Sequence, residues 1–231
     1  MKTIPFATLR AAGALALLSL ALGAGGALAA SSKDLDARMS RDGLQKTKVK
    51  NIDLVYARPG ATLAAYKRVK LDPVEVTFSP SWNPTRTGSS LKLSAQEKEN
   101  IRAGVARLVE EEFARELQAG GRYPVVVNEA GADVLRVKAA IVNLYINAPD
   151  NGMGRQRTIV SSAGEMTLIA ELSDGATGQV LARVADRREA PSTRMQITNG
   201  VVNESEARTI AAGWAKTLRK ALENAQGLGA K

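Results

Sequence analysis

The stretch Glu165-Met166-Thr167-Leu168-Ile169-Ala170-Glu171-Leu172-Ser173-Asp174-Gly175-Ala176-Thr177-Gly178-Gln179-Val180-Leu181-Ala182-Arg183-Val184-Ala185-Asp186 decides the fold class. Met166, Leu168, Ala170 and Leu172 alternate with Glu165, Thr167 and Glu171. A period of two is the signature of a strand with one face buried. Asp174-Gly175-Ala176-Thr177-Gly178 has the chemistry of a turn, with glycines able to supply positive φ. Val180, Ala182 and Val184 then resume the alternation as far as Asp186. The pattern predicts an antiparallel β-hairpin.

Working outward, residues 123–127 and 133–146 predict two further strands, the second with Leu135, Val137, Ala139 and Ile141 on one face. An earlier strand covers 66–78. Its apolar phase changes after Pro73, from Val69 and Leu71 to Val74, Val76 and Phe78. Pro73 has no N–H for a ladder, so it predicts a bulge or a sheet edge. Residues 147–163 hold Pro149, Gly152, Gly154, Arg155 and Arg157 and predict a long loop, a place where binding sites often lie.

Two amphipathic helices complete the set. Ser94-Ala95-Gln96-Glu97 has capping-box spacing, and Ile101, Val105, Leu108, Val109, Phe113 and Leu117 follow on one face. Gly120-Gly121 ends this helix. Glu110-Glu111-Glu112 fans around it and reads as a solvated face rather than an acid–base pair. The second helix starts near Asn203-Glu204-Ser205-Glu206 and carries Ile210, Trp214, Leu218 and Leu222 at steps of four. The expected architecture is α+β: a mixed, mostly antiparallel sheet packed by two amphipathic helices, in the order β-α-β-β-β-β-α.

The N-terminus is a targeting segment by composition. Lys2 and Arg10 form a positive region ahead of an apolar run over 11–22, and Ala27-Leu28-Ala29 is the small-x-small pattern of a signal-peptidase site. The expected division is 1–29 signal peptide, 30–50 flexible basic leader and 51–231 single α+β domain. Cleavage after Ala29 would leave a periplasmic or secreted protein with no stable membrane span.

The chain has 231 residues with Lys+Arg 32 against Asp+Glu 23, and neither cysteine nor histidine. Disulfides, thiolate chemistry and His-based acid–base catalysis are thereby excluded. So is a bacterial lipid anchor, which needs a cysteine at the first mature position. Residues 31–70 hold ten basic residues against four acidic ones, so most of the positive charge lies there.

The segment Tyr66-Lys67-Arg68-Val69-Lys70-Leu71-Asp72-Pro73-Val74-Glu75-Val76 resembles the opening of a family of small Gram-negative envelope proteins known only as a domain of unknown function, many of them described as lipoproteins. The likeness continues at Ala132-Asp133-Val134-Leu135-Arg136-Val137, at Gly164-Glu165-Met166-Thr167-Leu168 and at Thr177-Gly178-Gln179-Val180-Leu181-Ala182, ending with Asp186-Arg187-Arg188. The resemblance implies a sheet packed by two helices, similar to the small α+β domains of outer-membrane assembly lipoproteins, and no known activity. A lipidated relative would carry a cysteine near Ala30, which this chain lacks.

Candidate contact residues are few. Lys46, Lys48 and Lys50 stand two apart, so on an extended chain they point one way, toward an anionic partner or as guards of a sheet edge. Arg155 and Arg157 could join Arg187 and Arg188 in holding a carboxylate or phosphate. Trp82, in a polar loop with Pro80 and Pro84, is either a core plug or a partner contact. Nine aromatics, without a run, give no stacking platform for nucleic acid. No catalytic, metal-ligating or cofactor-binding set is expected. The expected role is a non-enzymatic envelope binding or assembly module whose partner is an envelope protein or an anionic envelope component. The alternatives are a hydrolase-type enzyme with a cleft near 147–163 and a structural subunit oligomerising through a sheet edge.

Overall fold

The computed structural model describes residues 32–83, 92–146, 158–160, 164–189, 196–198 and 200–228. In chain order the elements are helix α1 (Ser32–Met39), strands β1 (Gln45–Thr47), β2 (Leu54–Ala57), β3 (Arg68–Leu71) and β4 (Glu75–Phe78), helix α2 (Ala95–Gln118), strands β5 (Val125–Val126), β6 (Val134–Ile146), β7 (Thr158–Val160), β8 (Gly164–Asp174), β9 (Val180–Glu189) and β10 (Gln196–Thr198), and helix α3 (Gly200–Ala225). The architecture is the expected α+β class. The main sheet has the order β1-β2-β9-β8-β6-β3-β5, with β4 also paired to β6.

The β8–β9 hairpin forms as its alternation predicts, with Leu168 opposite Asp186 and Ala170 opposite Val184. Only Gly178 of the turn glycines has positive φ, at 72°. The turn is pinned by the Asp174 carboxylate, which accepts from Thr177 N (2.7 Å), Thr177 Oγ1 (2.8 Å) and Ala176 N (3.1 Å). The phase change at Pro73 is a bulge. Leu71 faces Val137 and Glu75 faces Ala140, so the 66–78 segment carries one extra residue between two stretches that both run parallel to β6. These parallel pairings, with β5 parallel to β3, are the mixed part of the sheet. They follow from the crossover through α2, because a helix connection returns the chain in the same direction.

Both long helices cover one sheet face. Val69, Leu135, Val137, Ile141, Met166 and Leu168 meet Leu108, Val109, Phe113 and Leu117 of α2 and Ala211, Trp214, Ala215 and Leu222 of α3. The Ser94 capping box is present in both directions, a feature worth about 1 kcal/mol. α3 begins at Gly200, earlier than the sequence suggests.

Three expectations require correction. The segment 30–50 is not a featureless leader where it is described. α1 packs on the opposite sheet face, where Met39 and Leu44 are buried with Tyr56 and Ala185, and β1 pairs with β2 as an edge strand of the main sheet. Its signal was missed because it is short and only three apolar side chains (Leu35, Met39, Leu44) are needed there. The 147–163 loop contains β7, which pairs antiparallel with β10 in a separate two-stranded sheet. The observed order also has more strands than β-α-β-β-β-β-α, since β1 and β2 precede the first predicted strand.

Candidate functional site

Polar side chains in and beside the core form three hydrogen-bonded groups. Asp186 on β9 is fully buried. Its Oδ2 accepts from Trp214 Nε1 of α3 at 2.7 Å and from Arg188 Nε at 2.6 Å, and its Oδ1 accepts from Asp53 N at 2.9 Å. A buried carboxylate with these three donors ties β9, α3 and the approach to β2 together.

The second group lies between α2 and α3. Glu112 is buried, against the expectation that Glu110-Glu111-Glu112 would be a solvated face. Arg208 of α3 reaches Glu112 at 3.0 Å, Glu111 at 3.2 Å and Glu204 at 3.0 Å, while Arg115 also pairs with Glu112. Glu110 accepts from Val74 N at 2.8 Å, joining α2 to the bulge. Further along, Arg219 meets Glu116 and Glu223. Ser205 and Thr209 line a shallow open groove beside Arg208, whose charges are compensated within the groove itself. Spacing alone could not separate Glu112 from its two neighbours, because the difference is made by α3.

The third group joins Tyr66, Asp174 and Gln226. Tyr66 Oη donates to Asp174 Oδ2 at 2.9 Å. Burial, then this hydrogen bond, push the Tyr66 phenol up to about 12. The turn hydrogen bonds from Thr177 hold the Asp174 carboxyl below its ordinary range. Gln226, just past α3, donates to Tyr66 O at 2.7 Å and accepts from Tyr123 Oη at 3.1 Å.

The predicted contact residues have different fates. Trp82 is buried: its ring stacks on Phe78 at 4.1 Å and its Nε1 donates to Ile146 O at 2.9 Å. It is the core plug, and its reading as a partner contact is corrected. Lys46 lies in β1, an edge strand of the main sheet, where it approaches Asp36 at 3.5 Å and sits over the Tyr56 ring. Lys48 and Lys50 follow β1 and are exposed. Arg155 and Arg157 lie outside the described residues. Their supposed partners are committed elsewhere, Arg187 to Glu165 and Arg188 to Asp186 and the Asn51 carbonyl.

The β1 edge sorts its charges. Asp36 accepts from Tyr56 Oη at 2.9 Å, Asp42 pairs with Arg183, and Asp53 accepts from Arg187 N at 2.9 Å. Arg183 also donates to the Arg38 and Arg41 carbonyls. These three carboxylates are thus spent on the body of the domain. The Arg38, Arg41, Lys48 and Lys50 side chains are exposed, and Arg38 has the exposed Asp34 one helical turn before it. Sequence reasoning singled out the lysines and missed the two arginines, whose carbonyls are held by Arg183 of β9.

The model of a protein family described as "Protein of unknown function (DUF3313)" matches residues 34–218. This chain is a member of the DUF3313 family. The match takes in α2, the whole main sheet and α3 as far as residue 218. None of the curated proteins matches this DUF3313 member. Among solved structures it is similar to a PelC dodecamer from Paraburkholderia phytofirmans at 16% identity, over 71% of this chain and 95–96% of that one, with TM-scores near 0.35. It is also similar to XCC0632 from Xanthomonas campestris, a DUF330 protein, at 14% identity over 69% of this chain and 85% of that one, TM-score 0.37. The hypothetical protein CT253 from Chlamydia trachomatis matches at 11% identity over 71% and 97%, TM-score 0.33. No described helix is long and apolar enough to cross a membrane.

Proposed function

We propose that this DUF3313 member is an exported, non-enzymatic binding or assembly module of the cell envelope. The observation that carries the reading is the commitment of three buried charged groups. Asp186, Glu112 and Arg183 each bond within the fold and hold elements together, and Glu112, which lines the groove beside Arg208, is paired there with Arg115 and Arg208. Export is supported by the Lys2/Arg10 apolar segment and by a folded unit that starts at Ser31, just past the predicted cleavage point. The test is to fractionate cells, sequence the N-terminus of the mature band, and crosslink in the envelope before pull-down. A band starting at Ala30 with one reproducible crosslinked partner supports the reading. A cytoplasmic band that begins at Met1, or turnover abolished by one polar substitution, overturns it.

The open sheet edges favour a second reading, a subunit that assembles edge to edge. β1 and β5 end the main sheet, and Val127 beside β5 is 79% exposed. Light scattering on the purified chain decides this: a monomer at all concentrations removes it, and an oligomer that Val127→Lys dissolves supports it.

A further inference from the structure

We infer that the β1 edge is a docking surface for an anionic lipid bilayer, built from Arg38, Arg41, Lys48, Lys50 and the exposed Val49. This deepens the envelope reading above and rests on it for its setting. Three features point to the occupant. The first is the sorting of charge: Asp36, Asp42 and Asp53 bond inward, to Tyr56, Arg183 and the Arg187 amide, while four cations stay exposed, of which Arg38 has the exposed Asp34 one helical turn before it. The second is compactness. Arg41 lies four residues before the three-residue strand β1, and Lys48 and Lys50 lie one and three residues after it, so these cations flank one short edge strand. The third is Val49, one of few large apolar side chains left exposed, which stands between Lys48 and Lys50. An apolar tip flanked by cations suits a headgroup boundary, where phosphates meet the lysines and the valine enters the acyl margin. An acidic protein would match the charge but would give Val49 no such role.

Lys46 is not part of the free set, because Asp36 and the Tyr56 ring already hold it. That distinction makes the surface testable. The purified full-length exported form is mixed with vesicles of phosphatidylcholine alone and of phosphatidylcholine with phosphatidylglycerol, and bound protein is measured by flotation. Binding is expected only to the anionic vesicles and is expected to fall with added salt. Lys48→Glu with Lys50→Glu should weaken it at least about 25-fold, from roughly fivefold per cation removed. Val49→Ser should weaken binding at high salt, where the charges are screened. Lys70→Glu with Lys138→Glu makes the same change in net charge on β3 and β6 and should leave binding within a factor of about three. Circular dichroism confirms that each variant is folded. Equal binding to both vesicle types overturns the proposal. So does an undiminished Lys48/Lys50 variant, an equal loss in the Lys70/Lys138 variant, or capture by soluble polyglutamate but not by vesicles. Fractionation tests export separately, so vesicle binding by a protein found in the cytoplasm would sink the setting and leave the surface standing.

Discussion

Asp186 and Glu206 are carboxylates that burial treats in opposite ways. Asp186 is surrounded by donors from Trp214, Arg188 and the Asp53 amide. Removing the acceptor strands all three, so Asp186→Ala is expected to cost about 3–5 kcal/mol by urea denaturation. A loss under about 1 kcal/mol would mean that water or another carbonyl replaces the carboxylate. Glu206 Oε2 has no hydrogen-bond partner among the described residues, and burial pushes its carboxyl up. A carboxyl raised in the folded state is better tolerated protonated, so its cost is absent below the unfolded glutamate range and grows as pH rises through the folded value. Glu206→Gln is therefore expected to raise Tm at neutral pH and to change it little in acid. A variant that melts lower at neutral pH would show that the carboxylate makes a favourable contact.

Gly175 and Gly178 sit in one turn and are required for different reasons. Gly178 has positive φ. At Gly175 a Cβ would lie 2.5 Å from the Val134 carbonyl oxygen, which accepts from the Gly175 N–H at 2.8 Å. Gly175→Ala must move backbone at the start of β6, and is expected to cost about 1–3 kcal/mol. Thermal melts of this variant check it, and an unchanged Tm would show that the turn can shift freely. The glycine content of the turn was legible in the sequence, and this close approach was not, because Val134 is far away along the chain. The same contrast runs through the other elements. α2, α3, β6, β8 and β9 are long enough for their periods to show. β1 and β2, at three and four residues, fall below any period, and their place is set by pairing, β1 with β2 and β2 with β9. Within the candidate site the lysines after β1 were legible as charge. Arg38 and Arg41 became part of it only through the Arg183 hydrogen bonds to their carbonyls.

At the largest scale, the described residues form a three-layer arrangement over part of the sheet: α2 and α3 on one face, and residues 32–44 on the other. The second layer is thin, and its anchors are Met39 and Leu44, at 2% and 4% exposure, with Arg183 bonded to the Arg38 and Arg41 carbonyls and to Asp42. A loose leader would leave stability untouched when altered. A packed layer would not, because truncating a buried methionine loses transfer energy and opens a cavity. Met39→Ala is expected to cost about 2–3 kcal/mol, with the low end reflecting how easily a short helix can settle. The same variant should also lose its protection at Arg38 and Arg41 in limited trypsin digestion, since freeing α1 releases the backbone that Arg183 holds. Equal stability and equal digestion of variant and wild type would return residues 32–47 to the status of a tail, and would remove the scaffold on which the basic edge is displayed.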